Sequence, residues 1–365
     1  MANDDGAHRA RGPAPEPGHG RDARTAGGGG SRTTAGGGGT GPAAAGGGAG
    51  VLVLGEINPD VIVTDPDPRP AFGQVERSVA GIELTIGSSS AIFACGLARL
   101  GMGVGFYGAV GDDAFGRFML DALAERGIDV SACVVLPGMP TGASVILASP
   151  RDRAILTAVG AIDGIDLAAV PRALVLRARH LHVGSWFLQA RSHAGLPGLF
   201  ADARASGLTT SLDCNWDPDD AWTGVDAMLA HTDVFLPNAA EATRLTGLDD
   251  VEAAAWELLR RAPSRRAAGQ PAPTVAVKLG RDGALAVSGD EVVRVPALAV
   301  DVVDTTGAGD SFGGGFVHGW LAGWPLRAAL ELAVACGSLS CRRPGGTSGQ
   351  PTLDEARGAL AEMRR

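Results

Sequence analysis

Asp310 lies inside a glycine turn, Asp304-Thr305-Thr306-Gly307-Ala308-Gly309-Asp310-Ser311-Phe312. The valine-rich run 300–303 leads into it, and a small-residue, helix-like stretch from Gly313 to Leu321 follows. A strand that ends in a glycine turn and opens a helix leaves backbone N–H groups without partners at the positive end of the helix dipole. Such a turn seats a phosphate or a developing oxyanion. An acid inside it opposes anion binding. Asp310 makes chemical sense as the acceptor of a proton beside a phosphoryl group in transfer. The plain alternative is a tight turn with an exposed acid.

Other polar groups fall at the ends of apolar runs. Pro237-Asn238-Ala239-Ala240-Glu241 follows the run Val234 to Leu236, and Asn238 and Glu241 share a face of the helix that starts there. An amide and a carboxylate so placed can hold Mg²⁺ through waters. The same pair also reads as a helix N-cap with a capping box. Asn58 and Asp60, in Gly55-Glu56-Ile57-Asn58-Pro59-Asp60, suit the hydroxyls of a polyol or an Asn-Pro turn. Gly87-Ser88-Ser89-Ser90 offers hydroxyls and N–H groups to a substrate, or a serine N-cap. Lys278 is the only lysine of the chain; it ends the run Val275 to Val277 and precedes Gly280 and Gly283. No glycine loop comes before it, which excludes a Walker A phosphate loop, and nothing like a protein kinase's catalytic and metal loops follows. His180 and His182 alternate on a strand and read as ordinary strand histidines, although such a pair can share a metal. Gly309-Asp310-Ser311 is a poor hydrolase nucleophile, because His318 is the only histidine after it. Asp213 ends a further strand as a site acid or a turn former.

These residues punctuate an alternation of strand and helix signals. Val51-Leu52-Val53-Leu54 reads as a buried strand. Residues 87–100 and 114–126 read as helices around a strand at 104–110. Strands follow at 180–184, 208–213, 233–236 and 274–279. Helices fall near 193–206, 222–231, 238–246, 251–262, 325–340 and 352–364. The alternation predicts an α/β fold with a mostly parallel sheet covered on both faces. Such sheets bind ligands at the carboxyl ends of their strands. Residues 61–86 and 128–158 break the pattern as strand pairs and predict a small separate sheet, either a flap over a cleft or a simple sheet extension. Residues 262–273 read as a surface loop. Residues 1–49 hold no Val, Ile, Leu, Phe, Trp or Tyr and read as a disordered tail. The ordered domain is expected over 51–365.

Composition narrows the function classes. The chain of 365 residues has a net charge of −9, which argues against a nucleic-acid binder. Five cysteines without a Cys-x-x-Cys pair read as reduced thiols of a cytoplasmic protein. No apolar run reaches the roughly 18 residues that span a membrane. The first residues lack the apolar core of a signal peptide.

Taken in order, these motifs resemble the PfkB, or ribokinase-like, carbohydrate kinases over roughly residues 51–360. Asp304 to Phe312 is similar to that family's C-terminal signature, and Gly55 to Asp60 to its first-strand sugar motif. Leu97-Ala98-Arg99-Leu100-Gly101 with Gly111-Asp112-Asp113-Ala114-Phe115-Gly116 resembles its N-terminal signature, and Thr141-Gly142 the start of its lid strands. Asn238 to Glu241 resembles its Asn-x-x-Glu motif, and Lys278-Leu279-Gly280 its nucleotide-binding strand end. The resemblance implies a three-layer α/β/α sandwich with a small β-sheet lid. It implies Asp310 as catalytic base, with the N–H groups of Gly307, Ala308 and Gly309 as anion hole. It places Asn58, Asp60, Gly87 and Ser88 at the sugar, and Asn238, Lys278, Gly280 and Gly283 at ATP. Glu241 would hold Mg²⁺ through water, and Asp304, Thr306 and Gly345 a monovalent cation, K⁺.

The chain departs from that pattern at particular residues. Ser88 replaces the second glycine of a Gly-Gly pair, and Ile92 replaces an asparagine near the sugar. Ile92 neither donates nor accepts. Val334 stands where many relatives contact adenine. Asp217 stands where related sugar-acid kinases often carry arginine, so the resemblance implies a neutral sugar. Lid strands pair between subunits in similar enzymes, which makes a homodimer the assembly to test. The expected activity is ATP-dependent phosphorylation of a hydroxyl of a small neutral sugar. The alternatives are a nucleoside kinase of the same fold, for which Phe72 is the only aromatic residue of the first flap stretch, and a non-catalytic sugar- or nucleotide-sensing protein.

Overall fold

The structure is a computed structural model that describes residues 50–149, 153–263 and 271–364. The tail expected over 1–49 lies outside the described residues, as does most of the loop expected over 262–273. In chain order the strands are β1 (Val51–Leu54), β2 (Pro59–Thr64), β3 (Gly81–Ile86), β4 (Val104–Tyr107), β5 (Ala109–Gly111), β6 (Val134–Leu136) and β7 (Ala143–Ala148). They continue as β8 (Arg153–Ala158), β9 (His180–Val183), β10 (Thr209–Leu212), β11 (Val234–Phe235), β12 (Thr274–Lys278), β13 (Ala284–Ser288) and β14 (Glu291–Val295).

The large sheet has the order β14-β13-β12-β11-β10-β9-β1-β4. From β12 to β4 every pairing is parallel, and β13 and β14 are antiparallel additions at one edge. The sequence of β1 shows why both faces are covered. Val51 and Val53 belong to one buried apolar cluster, and Leu52 and Leu54 to another on the opposite side. Strand side chains alternate between faces, so an unbroken apolar strand needs helices on both. The first cluster includes Phe93 of helix Ser89–Arg99, Met119 of helix Ala114–Glu125, and Phe312 and Phe316 of helix Ala308–Leu321. The second takes Phe200 of helix Leu196–Ala205 and Leu258 of helix Val251–Arg261. This is the three-layer sandwich the sequence predicts. Among the described residues no helix is long and apolar enough to cross a membrane, and the five cysteines are free.

A smaller sheet, β3-β2-β7-β8, accompanies it. Its register puts Asp60 opposite Ser144 and Ser144 opposite Thr157, and Ile62 opposite Ile146 and Ile146 opposite Ile155. Residues two apart share a face, so one face carries a polar row beside an apolar one. Strand β6, which the sequence reading groups with this sheet, instead pairs in parallel with β5. Val134 packs on the second apolar cluster, and β5 and β6 form a two-stranded sheet of their own.

Helices Ser89–Arg99 and Ala308–Leu321 pack backbone to backbone. A Cβ at Gly314 would lie only 3.3 Å from the Phe93 carbonyl oxygen. The Gln350 amide joins the two helices, donating to the Ile92 carbonyl at 2.8 Å and to Ser311 Oγ at 3.0 Å.

Candidate active site

Helix Ala308–Leu321 begins at Gly307, whose φ of 69° and ψ of 6° are left-handed, and no side chain caps its first N–H groups. Only glycine fits here. A Cβ would sit 2.7 Å from Gly346 Cα and 2.9 Å from Ile92 Cγ2. Asp310 occupies the first turn of this helix. Burial pushes its carboxyl up to about 8; the charge of Asp213 adds to the effect and Lys278 opposes it.

Two cavities meet this helix start. One, about 250 Å³, is lined by Gly307 and Asp310 together with Asn58, Asp60, Ser88 and Thr306. The other, about 390 Å³, is lined by Ala308 and Gly309 with Lys278, Gly280, Gly283 and Val334. The turn therefore separates the more polar chamber, which also has an aliphatic wall, from a mostly apolar one.

The polar chamber rests on Glu56, which the sequence reading left without a role. Its carboxylate accepts from Ser90 Oγ at 2.6 Å, from Ser185 Oγ at 2.7 Å and from the Ser90 amide at 3.1 Å. Asn215 in turn donates to Ser185 Oγ at 2.7 Å. The position of Glu56 at the end of β1 was the signal available for it. Ser88 keeps a glycine-like φ of 65° despite its side chain. Its Oγ accepts from the Ala91 amide at 3.0 Å and donates to the Glu56 carbonyl at 2.6 Å, so it is also the helix N-cap. Gly87 lies beneath Asp60; a Cβ there would overlap the Asp60 carboxylate. Burial pushes Asp60 up to about 7, moderated by Arg153 and reinforced by Asp304 and Glu56. Arg153 comes from β8, lines this chamber and donates to Thr306 Oγ1 at 3.1 Å. Nothing in its local sequence marked it.

On the other side Lys278 Nζ donates to Asp213 Oδ2 at 2.7 Å, which gives Asp213 a clear partner. Burial works against the Lys278 ammonium, but the Asp213 and Glu241 carboxylates outweigh it and hold its pKa above the usual range. Asn238 and Glu241 line neither cavity and form a full capping box at helix Ala239–Thr246. The Asn238 amide N–H donates to Glu241 Oε2 at 2.8 Å and Asn238 Nδ2 to Oε1 at 2.6 Å, while the Glu241 N–H returns a bond to Asn238 Oδ1 at 2.9 Å. Burial pushes Glu241 up to about 7; Lys278 opposes this and Asp213 adds to it. Replacing Asn238 with Ala is expected to lower unfolding free energy by about 1 kcal/mol in a urea titration.

Asp304 ties the glycine turn to a later loop. Its carboxylate accepts from the Thr306 N–H at 2.8 Å, from Thr306 Oγ1 at 2.8 Å and from the Gly345 N–H at 2.9 Å. Asp217 is turned into its own loop, accepting from the amides of Asp219 at 3.0 Å, Ala221 at 2.9 Å and Trp222 at 2.6 Å. It lines neither cavity, so the inference of a neutral sugar from its charge loses its basis. His180 and His182 are fully enclosed, sharing Ser211 Oγ at 2.7 Å each, and burial drives both pKa values down. No cluster of three metal-ligating side chains occurs among the described residues.

The pfkB family carbohydrate kinase profile matches residues 49–353. The 2-dehydro-3-deoxygluconokinase of Bacillus subtilis is 32% identical over 303 residues, which is 79% of this chain and 88% of the relative. The fructokinase of Klebsiella pneumoniae is 33% identical over 291 residues, 75% of this chain and 91% of that one. A Ribokinase II candidate from E. coli, solved in complex with ATP and Mg²⁺, superposes with a TM-score of 0.74 at 25% identity, covering 86% of this chain and 99% of that one. With the profile spanning most of the sequence and full-length relatives above 30% identity, the chain belongs to the PfkB family of carbohydrate kinases.

Proposed function

We propose that this chain transfers the γ-phosphoryl group of ATP to a hydroxyl of a small neutral sugar, with Asp310 as general base. The observation that carries the reading is the placement of the helix start between two cavities, Gly307 and Asp310 on one and Ala308 and Gly309 on the other. ATP occupies the larger, mostly apolar cavity, with Lys278, Gly280 and Gly283 toward its phosphates and Val334 at its base. The sugar occupies the polar one, held by Asn58 and Asp60 over Gly87 and Ser88. Glu56, Asp60 and Asp310 line the sugar cavity beside the guanidinium of Arg153, and their hydrogen-bonding oxygens suit the hydroxyls of a neutral acceptor.

Phosphoryl transfer needs placement and charge stabilisation more than covalent help. Asp310 takes the proton from the acceptor hydroxyl, a step worth about 10²–10⁴ in rate. The N–H groups of Gly307, Ala308 and Gly309 stabilise charge on the transferring group. Asp213 holds Lys278 in place on the nucleotide side. Mg²⁺ supplies neutralisation of phosphate charge. Glu241 lines neither cavity and would act on it only through intervening waters, with the lone pair that each carboxylate oxygen keeps after accepting one bond from Asn238. Asp304, the Thr306 carbonyl and the Gly345 loop form the place for K⁺. The small sheet closes over the sugar and excludes water. A homodimer through that sheet and a cytoplasmic setting complete the proposal. The sugar cavity has no aromatic ring in its wall among the described residues, and Phe72 is 95% exposed, which speaks against a nucleoside acceptor.

A screen of ADP release over pentoses, hexoses, sugar acids and nucleosides tests this reading. Neutral sugars are expected to drive release; release driven by sugar acids or nucleosides alone overturns the acceptor assigned. The pH profile is a second check. A base must be ionised to act, and the Asp310 carboxyl in the free protein has been pushed up to about 8. kcat/KM is therefore expected to rise with pH and level off above about 8. A profile flat from pH 6 to 9 removes Asp310 as the base.

A further inference from the structure

The wall of the acceptor cavity is divided. Hydrogen-bonding groups from Glu56, Asn58, Asp60 and Asn215 occupy part of it, and Ile92, Ile146, Ile155, Ile162 and Leu188 another. The division is built into the fold. On the inner face of the small sheet the row Asp60-Ser144-Thr157 is followed by the row Ile62-Ile146-Ile155. Ile92 extends the apolar part to the reacting end, since its Cγ2 would lie 2.9 Å from a Cβ at Gly307, the residue that opens the helix of Asp310. Ile92 is 3% exposed, and its carbonyl is already bonded by the Gln350 amide. Nothing at that position can accept or donate to a substrate hydroxyl.

We infer that the acceptor is a deoxy sugar: a carbohydrate with a methylene or methyl group, in place of one hydroxyl-bearing position, turned to the Ile92 side of the cavity. The inference rests on the kinase reading above and deepens it. A fully hydroxylated sugar in a cavity of about 250 Å³ presents a hydroxyl in nearly every direction. One of them is pressed against isoleucine and loses its water without gaining a partner. A sugar lacking that oxygen keeps every other contact and buries hydrocarbon on hydrocarbon. Apolar pockets discriminate only modestly against an added hydroxyl, by about 10- to 100-fold. Ile92 is thus a specificity-determining residue that acts by what it does not offer.

The test uses the full chain and pairs of sugars that differ by one oxygen: D-ribose with 2-deoxy-D-ribose, D-glucose with 2-deoxy- and 3-deoxy-D-glucose, L-galactose with L-fucose, and L-mannose with L-rhamnose. The best substrate is expected to be a deoxy member, preferred over its parent by about 10- to 100-fold in kcat/KM. A parent sugar that equals or exceeds its deoxy partner at the top of the panel overturns the inference. Absence of turnover with every member, with ADP release driven by sugar acids or nucleosides in the screen above, overturns the neutral acceptor and this inference with it; absence of release with every compound of both panels overturns the kinase reading instead. Replacing Ile92 with Asn is expected to move the deoxy-to-parent ratio at least about tenfold toward the parent. An unchanged ratio removes Ile92 as the determinant. If that variant does not fold, the wild-type ratios alone decide.

Discussion

Asp310→Asn is expected to bind ATP as wild type does and to lose at least about a hundredfold in kcat. The amide keeps the size and polarity of the side chain but cannot take the acceptor proton. Single-turnover measurements with saturating ATP check the rate, and nucleotide titration checks binding. An active Asn variant takes Asp310 out of the mechanism. Stability supplies an independent readout with a definite sign. The carboxyl has an ordinary value of 3.8 and a folded value of about 8, so the folded chain holds this proton more tightly than the unfolded one. The stability that the proton provides is complete below about 3.8 and is lost as pH rises to 8. Asparagine imitates the protonated acid at every pH. The variant should therefore melt at a higher temperature than wild type at pH 8, with the difference vanishing near pH 4. A carboxyl left at its ordinary value in the folded chain would give no such pH-dependent gain.

Gly307→Ala is expected to fold less stably by roughly 1–3 kcal/mol, from the left-handed backbone alone. The new methyl meets Gly346 Cα at 2.7 Å and Ile92 Cγ2 at 2.9 Å, so the helix start or the loop behind it must shift as well. Displacement of the N–H cradle by even about 1 Å costs on the order of a hundredfold in turnover. Gly309→Ala is the control, because its Cβ lies at 3.4 Å from Lys278 Cδ, an ordinary contact. That variant should keep wild-type stability and weaken ATP binding by narrowing the larger cavity. Denaturant titration beside kinetics separates the two; equal destabilisation of both variants would contradict the geometry at Gly307.

The large sheet was legible because an unbroken apolar strand such as Val51 to Leu54 has only one environment that suits it. The hairpin β13–β14 was overlooked, although Gly289-Asp290 between the strands, with Gly289 at φ 58°, is a two-residue turn of the kind that joins antiparallel neighbours. The placement of β6 was beyond reach, since three residues of Val and Leu fit any sheet edge and tertiary packing decides. At the site, the helix start around Asp310 could be read because glycine turn and helix follow one another in the chain; the strand expected at 300–303 does not form, since β14 ends at Val295 and Val302 and Val303 face solvent, each 62% exposed. The Asp213–Lys278 pair could not, because its members are separated by 65 positions and meet only through strand order. The charge of Asp217 misled for a related reason: sequence reports an acid but not the three amides that draw it away from the cavity.

The Gln350 amide bonds both to the Ile92 carbonyl and to Ser311 Oγ, beside Asp310, across helices whose backbones touch. The helix start and the floor of the cavity beside it are consequently one fixed jaw. On the proposed reading, opening to admit a sugar falls to the opposing jaw of β3-β2-β7-β8, so alignment of nucleophile and base would survive each cycle of opening while access alone changes.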